Sequence, residues 1–213
     1  NQLPSEFLRV VQSWDTAYKP EQVNDPTVCT TWGETRHGWY LLDVFRERMD
    51  YPALKRAVMS QYSAWNPQAV LVEDKGSGQS LIQELRAGVE HNGRKIVCPV
   101  IAIDPKGVNK VDRLIAVSSL FEAGMVYLPE VAPWLLDYEL ELTIFPLAPH
   151  DDQVDSTSQF LSWAHNHKST FNYAASGQKR VGTQAYEDDA INPRGDSIDP
   201  DTAYGVVRGP MDM

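Results

Sequence analysis

The sequence predicts an α/β protein in which helices flank a mixed β-sheet. Three β-rich runs open the chain, strand and helix patterns then alternate, and a last helical pattern at 153–164 ends the patterned region. Strands joined by short turns pair antiparallel, whereas strands separated by helices pair parallel, so one sheet should contain both arrangements. With 213 residues, of which 42% are hydrophobic, the chain can bury the core of one such domain.

The first quarter of the chain is predicted to contain the antiparallel strands. Residues 7–13 are mostly apolar and read as a buried strand, and residues 18–26 contain two prolines among polar side chains, which predicts a loop. Residues 27–33 and 38–45 are rich in β-branched and aromatic residues. The short polar turn between them predicts an antiparallel hairpin.

Beyond residue 50, apolar residues at helical spacing alternate with short apolar runs bounded by Gly, Pro and Asn. The predicted elements are, in order, a helix at 51–65, a strand at 69–72, a helix at 79–91, a strand at 96–103, a helix at 109–122, a short strand at 125–128, and helices at 135–142 and 153–164. Three antiparallel strands followed by alternating helices and strands describe an RNase H-like mixed sheet.

The end of the chain has a different composition. Beyond Lys168 the hydrophobic periodicity fades, and residues 184–213 contain seven acids against two arginines. Such a segment cannot bury much apolar surface, so we expect a folded domain at 1–167 and an acidic, poorly ordered tail at 168–213. The chain begins with Asn1 rather than Met, which suggests a piece of a longer protein.

Charge and cysteine content limit the classes of function. A net charge of −10 argues against a generic basic nucleic-acid binder, although bound metal ions would reverse the local sign and leave a DNA substrate open. No apolar run approaches the roughly 18 residues of a membrane span. Cys29 and Cys98 lie in strand-like runs and lack CxxC spacing, which predicts buried thiols in a reducing cytoplasm.

Three acidic segments carry the functional signal. Asp15 follows the first apolar strand, Glu73 follows four consecutive apolar residues, and Asp151, Asp152 and Asp155 open the last helix. In an RNase H-like sheet these positions meet at one site. Carboxylates held close together repel one another unless cations neutralise them, and hard divalent ions prefer oxygen ligands. The pattern therefore predicts a cage for Mg²⁺ or Mn²⁺.

Each acid also has a purely structural interpretation. Asp15 could begin a loop and accept hydrogen bonds from nearby N–H groups, and Glu73 could be held by an ion pair. Acids in the first turn of a helix cap free N–H groups and favour the helix dipole. Asp152 and Asp155 are three residues apart and share a face, so Asp151 could be the cap while Asp152 points inward as a ligand.

Basic residues near these segments are candidate DNA contacts: Lys75, Lys106, Lys110 and Arg113. They could contact phosphates and offset the acidic site, or they could simply form a solvated face. Trp14 and Trp32 are expected to fill the core.

The ordered set of four motifs resembles the C-terminal nuclease domain of a tailed-bacteriophage terminase large subunit. The motifs are SWDTA at 13–17, VEDKGSG at 72–78, KVDR at 110–113 and HDDQVDS at 150–156. The resemblance implies an RNase H-like endonuclease that cuts concatemeric double-stranded viral DNA during genome packaging. Asp15, Glu73 and Asp152 would be its catalytic metal ligands, with Asp151 or Asp155 as a fourth.

Two ions about 4 Å apart would share Asp15 as a bridging ligand in such a mechanism. The resemblance also implies partners: an N-terminal ATPase motor in the same polypeptide, whose Walker motifs are absent from this sequence, the portal protein and the small terminase subunit. The location would be the cytoplasm of the infected bacterial host. Two alternatives stay open, namely another RNase H-like two-metal nuclease (a resolvase or transposase core) and a non-catalytic docking module.

Overall fold

A six-stranded mixed sheet forms the centre of the protein, as seen in a computed structural model that describes residues 3–16, 25–104 and 107–167. These residues form eight strands: β1 (Arg9–Asp15), β2 (Thr27–Glu34), β3 (Trp39–Glu47), β4 (Ala69–Glu73), β5 (Val89–His91), β6 (Arg94–Ile96), β7 (Val100–Ile103) and β8 (Val126–Tyr127). The central sheet has the order β7-β4-β1-β2-β3-β8. The predicted tail at 168–213 and Lys106 lie outside the described residues.

The strand directions are those of the predicted topology. β1, β2 and β3 pair antiparallel, while β4 pairs parallel with both β1 and β7. β8 adds a short parallel strand to the free edge of β3. The RNase H-like fold class predicted from the sequence is confirmed.

In the described part of the chain, five helices cover the two faces of the sheet. They are α1 (Tyr51–Trp65), α2 (Ser77–Ala87), α3 (Lys110–Glu122), α4 (Leu135–Ile144) and α5 (Asp152–Asn166). Alternate residues of each strand point to opposite faces, so Val70 and Val72 pack with α1 and α2, whereas Ala69 and Leu71 pack on the face of α4 and α5. Trp14 and Trp32 are fully buried, one in each core, as predicted.

The segment between α2 and β7 differs from the sequence prediction. The helix predicted at 79–91 is wrong beyond Ala87, because Gly88 has a φ of 91° and ends α2. β5 and β6 instead form a hairpin around Asn92 and Gly93, both with positive φ, which is the backbone that an Asn-Gly turn favours. The strand predicted at 96–103 is also interrupted, since Pro99 has no N–H to donate and β7 begins after it.

Helix ends follow local rules at several points. The Asp50 side chain accepts a hydrogen bond from Ala53 N at the start of α1, and Asn66 ends that helix in the left-handed conformation. The Asn109 side chain caps α3 by accepting from Asp112 N at 2.8 Å. Over the described ranges, no helix combines the length and the apolar character needed to cross a membrane.

Candidate carboxylate site at the strand ends

Asp15 and Glu73 end two neighbouring parallel strands. Trp14 pairs with Val72 in the register of β1 and β4, so the residues that follow them lie side by side. Both are on the sheet face that α5 covers, because Asp15 is two residues beyond Ser13, which hydrogen-bonds α5, and Glu73 is two residues beyond Leu71. Period-two alternation thus directs both carboxylates toward the last helix.

Polar contacts fix α5 on the end of β1. The Ser13 and Ser156 hydroxyls each donate to the other residue's carbonyl oxygen, both at 2.8 Å. Gln159 Nε2 donates to Ser13 Oγ at 2.9 Å. These bonds set the position of the first turn of α5, and hence of Asp152, relative to Asp15.

A carboxylate of α4, which the sequence reading missed, caps the start of α5. Glu141 is buried, and its carboxylate accepts from Gln153 N at 2.7 Å and from Val154 N at 3.3 Å. Asp151 is at the predicted cap position, but its side chain makes no capping bond and so does not cap the helix. The sequence signal that could have identified Glu141 is a charged residue on the apolar face of the helix predicted at 135–142.

Asp152 points inward, as one of the sequence interpretations had it. Its residue is 7% exposed, and Oδ2 is buried without a hydrogen-bond partner. Burial, followed by the charges of Glu141 and Asp151, raises the pKa of its carboxyl to about 7. Arg46, which pairs with Glu141 at 3.3 Å, opposes this increase. The carboxylate is thus held in a setting that disfavours its charged form.

Asp15 experiences the charges of the other acids. Burial raises the pKa of its carboxyl well above the ordinary value. Three negative charges add to this increase, those of Asp155, Asp152 and Glu73. The four carboxylates that the sequence placed on three separate segments are therefore close enough in the fold to interact electrostatically.

Two cations of α3 lie against the same acids. Lys110 Nζ is 2.7 Å from Asp151 Oδ1 and 2.5 Å from Asp155 Oδ2. Arg113 Nη2 is 2.5 Å from Asp155 Oδ1, and Nη1 is 3.7 Å from Glu73 Oε2. Burial lowers the pKa of Lys110, but its hydrogen bonds to the two aspartates outweigh that effect and raise it overall. Lys110 and Arg113, predicted as DNA contacts, are thus engaged with carboxylates.

The turn between β4 and α2 shapes the adjacent rim. Gly78 lies so close to this turn that a Cβ atom there would be 2.0 Å from the Glu73 carbonyl oxygen. The Ser77 hydroxyl donates to Thr16 O at 3.0 Å, which ties the end of β1 to the start of α2. Lys75 is exposed in the same turn. Gly78 is therefore required by the close approach of the turn, and Lys75 remains accessible.

No three His, Cys, Asp or Glu side chains of the described segments form a ready-made metal-binding group. The chemistry of the donors nevertheless fits a hard cation. Asp152 Oδ2 is a buried oxygen without a partner, and the Asp15 carboxyl is destabilised in its charged form by three nearby carboxylates. A divalent ion would satisfy the first and relieve the second.

The fold and its strand-end carboxylates define an RNase H-like domain. The family model for the terminase RNaseH-like domain matches residues 12–164, and the chain belongs to this family. The resemblance to the C-terminal nuclease domain of a terminase large subunit is confirmed. No curated protein sequence matches the chain.

Solved structures that are similar to this chain have low sequence identity to it. The large terminase of the thermophilic bacteriophage D6E is 14% identical with a TM-score of 0.55, over 76% of this chain and 41% of that one. This chain therefore spans about two fifths of that terminase. The fowlpox virus Holliday junction resolvase is 14% identical (TM-score 0.47, 74% of this chain, 99% of that one). The human cytomegalovirus terminase nuclease domain, soaked with Mn, is also 14% identical (TM-score 0.43, 76% and 83%).

Proposed function

We propose that this domain is a divalent-metal-dependent endonuclease that cuts double-stranded viral DNA concatemers during genome packaging. The observation that carries the proposal is the meeting of Asp15, Glu73 and Asp152 at one end of the sheet of a terminase RNase H-like domain. Their mutual repulsion and the unpartnered Asp152 oxygen favour a cation at this place.

Asp15, Glu73 and Asp152 would hold Mg²⁺ or Mn²⁺, and two ions are proposed. Bound there, such ions supply an activated water and stabilise the charge that develops on the phosphate and on the leaving oxygen. The role of the three carboxylates would be to bind these ions and fix their positions. No side-chain nucleophile is needed, because the attacking group in this class of hydrolysis is water.

Basic side chains would complete the site toward DNA. Lys110 and Arg113 offset part of the negative charge, which lowers the repulsion that a phosphodiester meets when it approaches. Lys75 is exposed just beyond Glu73 and is proposed to contact a backbone phosphate. Lys106 lies outside the described residues, and its contact with DNA stays a prediction from the sequence.

The biological setting is part of the proposal. The partners would be double-stranded DNA, the ATPase motor of a large terminase, the portal protein and the small terminase subunit. The place of action would be the cytoplasm of the infected bacterium. The match covers only 41% of the D6E large terminase, which supports the proposal that a motor belongs to the same polypeptide.

The test is cleavage of supercoiled plasmid by the purified domain with Mn²⁺, Mg²⁺ or EDTA and without ATP. We expect metal-dependent nicking and linearisation, abolished in Asp15→Asn, Glu73→Gln and Asp152→Asn. Glu90→Gln, which changes an exposed carboxylate of β5, should cleave like the wild type. Mn²⁺ should also raise the melting temperature of the wild type by mass action, and less so that of the three site variants.

The results of this assay would distinguish the proposed endonuclease from a resolvase and from a docking module. Preferential cutting of four-way junctions over linear duplex would favour a resolvase. A domain that stays inert with every metal and gains no thermal stability from Mn²⁺ would be a docking module, and the proposal would be rejected.

A further inference from the structure

The three aspartates that open α5 have different surroundings. Asp155 is buried, and both of its carboxylate oxygens are in contact with a cation: Oδ1 with Arg113 Nη2 and Oδ2 with Lys110 Nζ, each at 2.5 Å. Charge-assisted bonds of this length are strong, and a buried partner cannot be replaced by water at low cost. Asp155 therefore has no oxygen left without a partner.

Asp152 lies one turn earlier on the same helix and has the opposite character. Its Oδ2 atom is buried and has no hydrogen-bond partner. Leaving such an acceptor unsatisfied costs about 1–3 kcal/mol, so it is retained only where something else compensates. Both aspartates are on the same face of α5, but Asp155 is fully paired with cations whereas Asp152 has a carboxylate oxygen without a partner.

Arg113 connects the occupied aspartate to the central sheet. Its guanidinium contacts Asp155 on α5 and, through Nη1, lies 3.7 Å from Glu73 Oε2 at the end of β4. The side chain is only 16% exposed. The guanidinium fork hydrogen-bonds Asp155, which fixes its orientation, and its charge then attracts the Glu73 carboxylate in a longer ion pair. Lys110 contacts Asp151 and Asp155, and no contact from it to Glu73 is seen.

We infer that Asp155 is not a metal ligand but the anchor of Arg113, which is a positioning residue that holds Glu73 toward the site formed with Asp15 and Asp152. This inference rests on the proposed function. It divides the acids of the site into ligands and an anchor. It also gives the two cations of α3 different roles: Arg113 orients a ligand, whereas Lys110 only supplies a positive charge.

The test is the number and affinity of Mn²⁺ ions bound by the purified domain, measured by electron paramagnetic resonance and calorimetry. Asp152→Asn should lose at least one ion. Asp155→Asn should keep the wild-type number of ions and weaken their affinity by about tenfold or more, as expected for a residue that orients a ligand. Loss of an ion in Asp155→Asn would make Asp155 a ligand and overturn the inference.

Arg113→Ala and Lys110→Ala form a matched pair, because each removes one positive charge beside Asp155. If Arg113 acts only as a charge, both substitutions should strengthen Mn²⁺ binding, since a competing cation is gone. If Arg113 positions Glu73, Arg113→Ala should weaken binding by about tenfold or more while Lys110→Ala strengthens it or leaves it unchanged. Stronger binding in both variants would overturn the inference.

Two further variants serve as a control for misfolding and as a test of whether Arg113 and Asp155 act together. Arg113→Lys keeps the charge but not the fork, so it should fold and recover only part of the lost affinity. The double variant Arg113→Ala with Asp155→Asn should bind no more weakly than either single one, because both break the same connection. Additive losses would mean that the two residues act independently. A wild type that binds no Mn²⁺ would reject the proposed function itself.

Discussion

Asp152 should make the metal-free domain less stable at high pH than at low pH. Asp152 is 7% exposed, and burial together with the charges of Glu141 and Asp151 raises the pKa of its carboxyl to about 7. The unfolded chain has the ordinary value of about 3.9. The perturbation that isolates this effect is Asp152→Asn, which keeps the size of the side chain and removes its charge.

The direction of this change of stability with pH follows from proton binding. Between about pH 4 and pH 7 the folded state holds a proton on Asp152 that the unfolded state has already released, so stability falls as the pH rises through this window. The two pKa values lie about three pH units apart, and each unit corresponds to about 1.4 kcal/mol, which gives an upper limit of roughly 4 kcal/mol. Relaxation and water entry reduce this amount in practice.

The assay is urea unfolding in EDTA at pH 5 and pH 8. Relative to wild type, Asp152→Asn should be more stable at pH 8 by about 1–4 kcal/mol and nearly unchanged at pH 5. Glu90→Gln serves as the control, because that carboxylate is exposed on β5. If Asp152→Asn and the wild type showed the same dependence on pH, the Asp152 carboxyl would not be held as the structure describes.

Three further outcomes follow from single contacts. Gly78→Ala places a Cβ atom 2.0 Å from the Glu73 carbonyl oxygen and should lower the free energy of unfolding by about 1–3 kcal/mol in urea titrations, and an unchanged free energy would contradict this. Glu141→Gln loses the ion pair with Arg46 and weakens the cap of α5, so it should lower the free energy of unfolding by about 1–3 kcal/mol. It should also lower the pKa of Asp152, which an NMR titration would measure. Burial raises the pKa of Cys98 to about 11, so a thiol reagent at pH 8 should label it only when the domain unfolds, and rapid labelling of the native protein would contradict this.

The strand-end acids could be predicted because their signal is local. Asp15 and Glu73 each follow an apolar run, and the alternation of side chains along a strand fixes the face on which a residue lies. Antiparallel leading strands and alternating α/β units then fix the order of the sheet, which places the two strand ends together. Each of these steps needs only neighbouring residues or the order of elements.

The contacts of the site could not be predicted, because they join elements through tertiary packing. Lys110 and Arg113 were read as phosphate contacts or as a solvated face, and the structure shows a third role, as partners of Asp155. Nothing in the spacing of α3 indicates which helix its first turn meets. The same holds for Glu141, whose capping of α5 depends on how α4 packs against that helix. Ion pairs of this kind require the angle between helices as well as their sequences.

The polar character of α5 also has a reason in the site. Trp32 Nε1 donates to Thr30 Oγ1, Thr30 bonds to Ser156 Oγ, and Ser156 donates to Ser13 O, so a chain of hydrogen bonds crosses from β2 through α5 to β1. An apolar helix is held on a sheet by the shape of its side chains alone, because burial of apolar surface is not directional. Hydrogen bonds between fixed donors and acceptors allow one register only, and breaking any of them leaves a buried polar group unsatisfied. A carboxylate at the start of α5 is useful only if it stays opposite Asp15, and the buried polar interface supplies that constraint.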